Sequence, residues 1–172
     1  MYTTKQLTIG AACLAAALTA PGAAMADATA AGAPFPLAGS WTLVSADVLR
    51  ADGSRAHDYG ETPRGRLQID SQGRYSLQIY QSERPLYATG DKKTGTAAEY
   101  QAAALGTSAH FGIIAIDTDA QTLAFHIESS AFKNWEGSVQ QRRYELHGDE
   151  LSYRVPPRAD GSIPVSVWRR VR

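Results

Sequence analysis

The chain has 172 residues, with 17 Lys and Arg against 17 Asp and Glu, so its formal net charge is zero. Such a balance lacks the basic excess that marks binders of phosphate backbones and argues against nucleic acid as a partner. The small groups Arg64/Arg66 and Arg169/Arg170/Arg172 read as solvated strand ends. The single cysteine, Cys13, lies in the N-terminal leader, so a mature domain would have no disulfide and no thiol nucleophile. It must be held by its core, for which about 140 residues suffice.

Residues 1–26 read as a secretory signal: Lys5, an apolar stretch through Leu7, Ile9 and the Ala/Leu-rich segment 11–20, then Ala24-Met25-Ala26 as a small-x-small cleavage site. Thr19, Pro21 and Gly22 break the stretch short of the about 20 apolar residues a membrane span needs. Lipid modification of Cys13 would call for a Leu-like residue three places back, where Gly10 stands. The expectation is a periplasmic or secreted protein without a membrane span. Its mature chain would begin near Asp27 and carry a net charge of −1, because the leader removes Lys5 and no acid. Residues 27–37 are small, Pro-containing and aperiodic, and read as a flexible N-terminus. No repeat of 20–50 residues follows, so residues 38–172 count as one domain.

From residue 40 to 48 apolar and small residues occupy both faces of a predicted strand, Trp41 and Leu43 on one, Val44, Ala46 and Val48 on the other. After the turn Ala51-Asp52-Gly53-Ser54 and a loop at 55–63, strands over 65–69 and 74–81 flank Asp70-Ser71-Gln72-Gly73, a hairpin signal. Thr96-Ala97-Ala98-Glu99 forms a capping box that opens a short helix, which Gly106 ends. A helix of this length is marginal alone, so it is expected to dock through Tyr100, Ala104 and Leu105, and to act as a gate if it covers a barrel mouth. Strands then follow over 109–116, 122–129, 139–146, 151–155 and 165–171, joined mostly by short turns, with Asn134-Trp135 in a loop. The pattern predicts an all-β fold: an eight-stranded antiparallel up-and-down barrel with one short helix between its third and fourth strands. An open two-sheet sandwich fits the spacing too but leaves two edges exposed.

The fragments Gly39-Ser40-Trp41 with Leu43-Val44-Ser45, Tyr59-Gly60, Pro63-Arg64-Gly65, Gly73-Arg74-Tyr75-Ser76, Phe111-Gly112, Asn134-Trp135-Glu136-Gly137 and Val167-Trp168-Arg169-Arg170 stand in an order that resembles the bacterial lipocalin-like domain family, calycin-type eight-stranded barrels. The resemblance covers nearly all of the folded part. It implies a lipocalin-like barrel and a small hydrophobic ligand, with no defined reaction. It also implies that Trp41 packs across the closed end beneath an arginine of the last strand, Arg169 or Arg170, with Arg169 taken as the structural partner. The helix between the third and fourth strands departs from true lipocalins, which carry theirs after the last strand.

The candidate site residues follow from alternation. His126 shares a face with Ala124 and Glu128, and if that face points inward the two form an acid–base pair inside the cavity, the catalytic candidates. His110 could pair with His126 across a hairpin. Arg142 and Tyr144 share a face with Gln140, and Tyr80 shares one with Gln78; placed inside, they would hold a carboxylate or carbonyl while the rest of a ligand packs on Leu, Ile and Phe. Trp135, in a loop, reads as a lid over the mouth or as loop packing. The four histidines show no metal-binding spacing, so neither metal nor cofactor is expected. The reading is an exported, ligand-binding monomer or weak dimer, with two alternatives: a cyclase- or isomerase-type enzyme acting on an apolar molecule in the barrel, and a structural or interaction protein with a filled barrel.

Overall fold

The computed structural model describes residues 34–172; the expected leader at 1–26 and most of the segment 27–37 lie outside the described residues. The elements run β1 (Gly39–Leu49), β2 (Arg55–Ala56), β3 (Arg64–Ile69), β4 (Arg74–Tyr80), α1 (Ala97–Leu105), β5 (Thr107–Asp117), β6 (Thr122–Ser130), the 3-10 turn Lys133–Trp135, β7 (Val139–His147), β8 (Glu150–Arg154) and β9 (Ile163–Arg170). From β3 to β9 each strand pairs antiparallel with the next, and β1 pairs with both β3 and β9, closing eight strands into an up-and-down barrel. The sandwich alternative is thereby excluded. Residues 39–42 of β1 pair with β3, and Val48 and Leu49 pair with the two-residue β2.

Successive residues of a strand point to opposite faces, so one parity on each strand fills the interior. Leu67 and Ile69 of β3, Tyr75, Leu77 and Ile79 of β4, Leu123, Phe125 and Ile127 of β6, and Leu151 and Tyr153 of β8 are buried this way. On β1 the register against β9 shifts between Leu43 and Ser45. The extra residue reverses the inward parity, so that Trp41 and Leu43 are buried before it and Ala46 and Val48 after it. This bulge is why a regular alternation over residues 40–48 put apolar residues on both faces.

The end of the barrel where β1 begins is closed. Trp41 is fully buried and its indole Nε1 donates to the Leu37 carbonyl at 3.0 Å. The Arg170 guanidinium lies 4.1 Å from the centre of the Trp41 ring and donates to the Ala38 carbonyl. Arg169, expected in that position, instead stands exposed with Glu150 3.5 Å away, because the inward turn of Trp168 sends its neighbour out.

The helix also corrects its expectation. Its capping box is present, with Thr96 and Glu99 exchanging bonds, but none of its residues is buried and Leu105 is 73% exposed. Tyr100 packs edge-on against Tyr87 and accepts a bond from the Gly95 amide, so the helix leans on its own loop. A mostly alanine surface has little apolar area with which to dock.

Arg170→Met is expected to lower stability in urea unfolding by about 1–2 kcal/mol, through loss of a cation–π contact and a carbonyl bond. Arg169→Met should stay within about 0.5 kcal/mol, as for other exposed pairs. Equal losses would show that the arginine over Trp41 does not hold the closed end.

Candidate functional site

The aromatic packing stops partway along the barrel, and beyond it lies a cavity of about 270 Å³ opening at the other end. An apolar cavity of about 150 Å³ takes a benzene, so this space suits roughly ten to twelve non-hydrogen atoms before a ligand reaches the mouth. Leu77 and Ile79 of β4, Ala46 and Val48 of β1, Val155 beyond β8 and Pro164 of β9 supply apolar walls. Tyr59, Pro156 and Pro157 belong to the two loops that edge it, which are tied together by an Arg158–Asp58 ion pair at 2.9 Å. Nearby, the Asp47 carboxylate is buried: burial alone would raise its pKa, but bonds from His57 at 2.8 Å and Arg55 at 2.9 Å outweigh this and hold it below the usual carboxylate range. The same bond is the main cause of a raised His57 pKa.

One wall is polar. Tyr75, on the inward parity of β4, meets His110 of β5 with 2.7 Å between its hydroxyl and Nδ1, and His110 Nε2 faces Arg142 Nη2 of β7 at 3.4 Å. A guanidinium can only donate, so Nε2 carries the lone pair and Nδ1–H donates to the tyrosine oxygen. Burial, reinforced by the Arg142 charge, pushes the His110 pKa down to about 3, and burial pushes the Tyr75 phenol up. Both groups are therefore neutral at ordinary pH, and the positive charge on this wall is Arg142.

Arg142 is buried, and among the described residues no carboxylate pairs with it. Its guanidinium lies 3.9 Å from the centre of the Phe125 ring and 5.0 Å from that of Tyr153. Such stacking returns about 2 kcal/mol or more per contact when desolvated, part of what burying the charge costs. Nη2 donates to the Gln140 side-chain oxygen at 2.8 Å, whereas Nε has no acceptor. The Tyr153 hydroxyl is buried beside Ser166, Trp168 and Arg142 without a hydrogen bond of good geometry, and Trp168 Nε1 is likewise unpaired. Arg142 and Tyr153 both line the cavity.

Of the residues picked from the sequence, His110, Trp135 and Arg142 line this cavity. Trp135 comes from the 3-10 turn, its ring 6.0 Å from and perpendicular to His110. Tyr80 faces outward beneath Arg84, since Ile79 takes the inward parity. Tyr144 packs against the filled end, beside the β5–β6 turn and away from the cavity. His126 and Glu128 are exposed on the outer face, so the proposed interior acid–base pair does not form. Leu123, Phe125 and Ile127 take the interior. Glu128 is the extra residue of a β-bulge, passed over where Phe111 pairs with Ser129 and Gly112 with Ile127. A β-carbon at Gly112 would fall 2.0 Å from the His126 carbonyl, so only glycine permits this approach. His110 does not face His126; it lies opposite Ser130.

Tyr75 and Tyr153 were missed, although alternation with Leu77 and Ile79, and with Leu151, marks both as inward. The mouth residues Tyr59, Pro156 and Pro157 carried no periodic signal. No residue of α1 lines the cavity. Among the described residues no three potential ligands cluster for a metal, and no helix is long and apolar enough to cross a membrane.

The neutral His110 has a consequence for stability. An unfolded histidine takes a proton near pH 6.5, whereas the folded one resists until about 3. The unfolded state therefore binds more protons between these values, and stability falls as pH falls, by up to about 1.4 kcal/mol per pH unit. Urea unfolding between about pH 6.5 and 4.5, above the carboxylate range, should show this slope and His110→Gln should flatten it. An unchanged slope in the variant would place the titrating group elsewhere.

A family model described as a lipocalin-like domain matches residues 38–171, a span that begins before β1 and ends after β9. No curated protein and no solved structure matches the chain. With its eight-stranded closure, filled end and open cavity, the chain belongs to the lipocalin-like domain family.

Proposed function

We propose that this protein binds a small hydrophobic or amphipathic molecule in the open half of its barrel, and that it does so outside the cytoplasm, as its signal-like leader implies. The observation that carries the reading is the cavity of about 270 Å³, whose lining combines aliphatic side chains with Arg142 and with His110, to which Tyr75 is bonded. A barrel serving only as a structural module would gain stability by filling that space, since unfilled volume forfeits packing. Burial of a ligand against these walls supplies affinity at about 25 cal/mol per Å² of apolar surface. Trp135 at the cavity makes such occupancy visible, because Trp41 and Trp168 are sealed in the filled end.

Protein purified from its own host and sprayed under native conditions should carry a bound small molecule that is lost on unfolding. Extracted protein should change its tryptophan emission when the molecule is returned, and Trp135→Phe should remove most of that change. A barrel that is reproducibly empty, with emission indifferent to every lipid, quinone and terpenoid tried, would overturn the reading.

A further inference from the structure

We infer that the ligand is a monocarboxylate amphiphile whose head group is bound by Arg142 and Tyr153 and whose apolar part lies along the aliphatic walls toward the mouth. The inference rests on the binding reading above and specifies its chemistry. A guanidinium has five N–H donors in a planar fork that matches a carboxylate. Arg142 lines the cavity, and among the described residues only its Nη2 finds an acceptor, while the buried Nε finds none. The Tyr153 hydroxyl is a further buried donor without a partner, and the residue lines the cavity with its ring packed against the guanidinium. Unpaired buried donors beside a buried cation call for an acceptor-rich anion.

The charge required is one. The acids that line the cavity are engaged, Asp47 by Arg55 and His57 and Asp58 by Arg158, and of its cations Arg158 is the partner of Asp58 while Arg142 has no acid. His110 beside it is uncharged and offers a lone pair to the guanidinium, which orients the fork without neutralising it. A diphosphate or dicarboxylate would bring more charge than the wall can match. A neutral alcohol would leave the cation uncompensated, and an amine would add a second positive charge next to it. The volume of the cavity, about ten to twelve non-hydrogen atoms by the benzene scaling, suits a medium-chain acid, head group included.

Tryptophan fluorescence and calorimetric titration of the delipidated protein with octanoate, octanol, octylamine and acetate test this. Octanoate should bind at least tenfold more tightly than octanol, octylamine more weakly than either, and acetate far more weakly than octanoate. In Arg142→Gln the octanoate-to-octanol affinity ratio should collapse toward one, and Arg142→Lys should restore part of it. The comparison within the native protein decides the question even if Arg142→Gln fails to fold. Octanol or octylamine binding as well as octanoate overturns the anion site and leaves the binding reading standing. So does a neutral molecule carried from the host with no affinity for octanoate. Acetate binding as tightly as octanoate overturns the amphiphile. A host-purified barrel that is empty and takes none of the four probes overturns both.

Discussion

The structure depends on the way β1 is shared. Its first residues hydrogen-bond to β3 while most of its length pairs with β9, and that single strand turns a meander into a closed ring. Closure removes the sheet edges, and it also leaves no freedom in which face of any strand is interior. The aromatic packing of Trp41, Trp168, Tyr153, Phe125 and Tyr75 then fills the barrel from the closed end upward. The cavity is the space this packing leaves, lined there by Tyr153 and by Arg142, whose guanidinium lies over the Phe125 and Tyr153 rings.

Arg142 is the residue that packing alone does not account for. A leucine or methionine there would fill a similar volume without the cost of a desolvated charge, and replacing buried ions by apolar residues is often neutral or stabilising. The surroundings soften the burial without cancelling the charge: two aromatic faces, one amide oxygen from Gln140 and a neutral imidazole. This is an arrangement that keeps a cation available to the cavity.

Much of the fold was legible in the sequence because period-2 alternation and turn residues are local signals. The eight barrel strands were readable that way and the capping box at Thr96 and Glu99 from its own local motif, whereas the closed end at Trp41 was legible only through the resemblance to lipocalin-like barrels. What was not legible depended on bulges and on the choice of parity. The extra residue in β1 made two faces of residues 40–48 look alike, and the bulge at Glu128 with the outward parity of His126 emptied the interior of its expected acid–base pair. The choice between Arg169 and Arg170 is the same problem at the end of β9, where one residue decides whether a cation lies on Trp41 or in solvent. Tyr75 and Tyr153 carried the inward parity in plain view, but an aromatic ring among aliphatic residues reads as core until its hydroxyl is seen beside a polar neighbour, His110 for Tyr75 and Arg142 for Tyr153.

The placement of these groups also bears on catalysis. A proton-transfer enzyme needs a base whose pKa lies near the working pH and within reach of the bound molecule. His126 and Glu128 stand on the outer face, and a ligand inside the barrel is separated from them by the sheet itself. His110 is within the cavity, but with its pKa held down to about 3 and its lone pair turned toward Arg142 it is a weak base with its accepting nitrogen occupied. What the interior does offer is donors: a guanidinium, a phenol and, at the wall, the Ser166 hydroxyl. A guanidinium, a phenol and a hydroxyl gathered at one cavity are groups that can hydrogen-bond an anionic or polar part of a bound molecule.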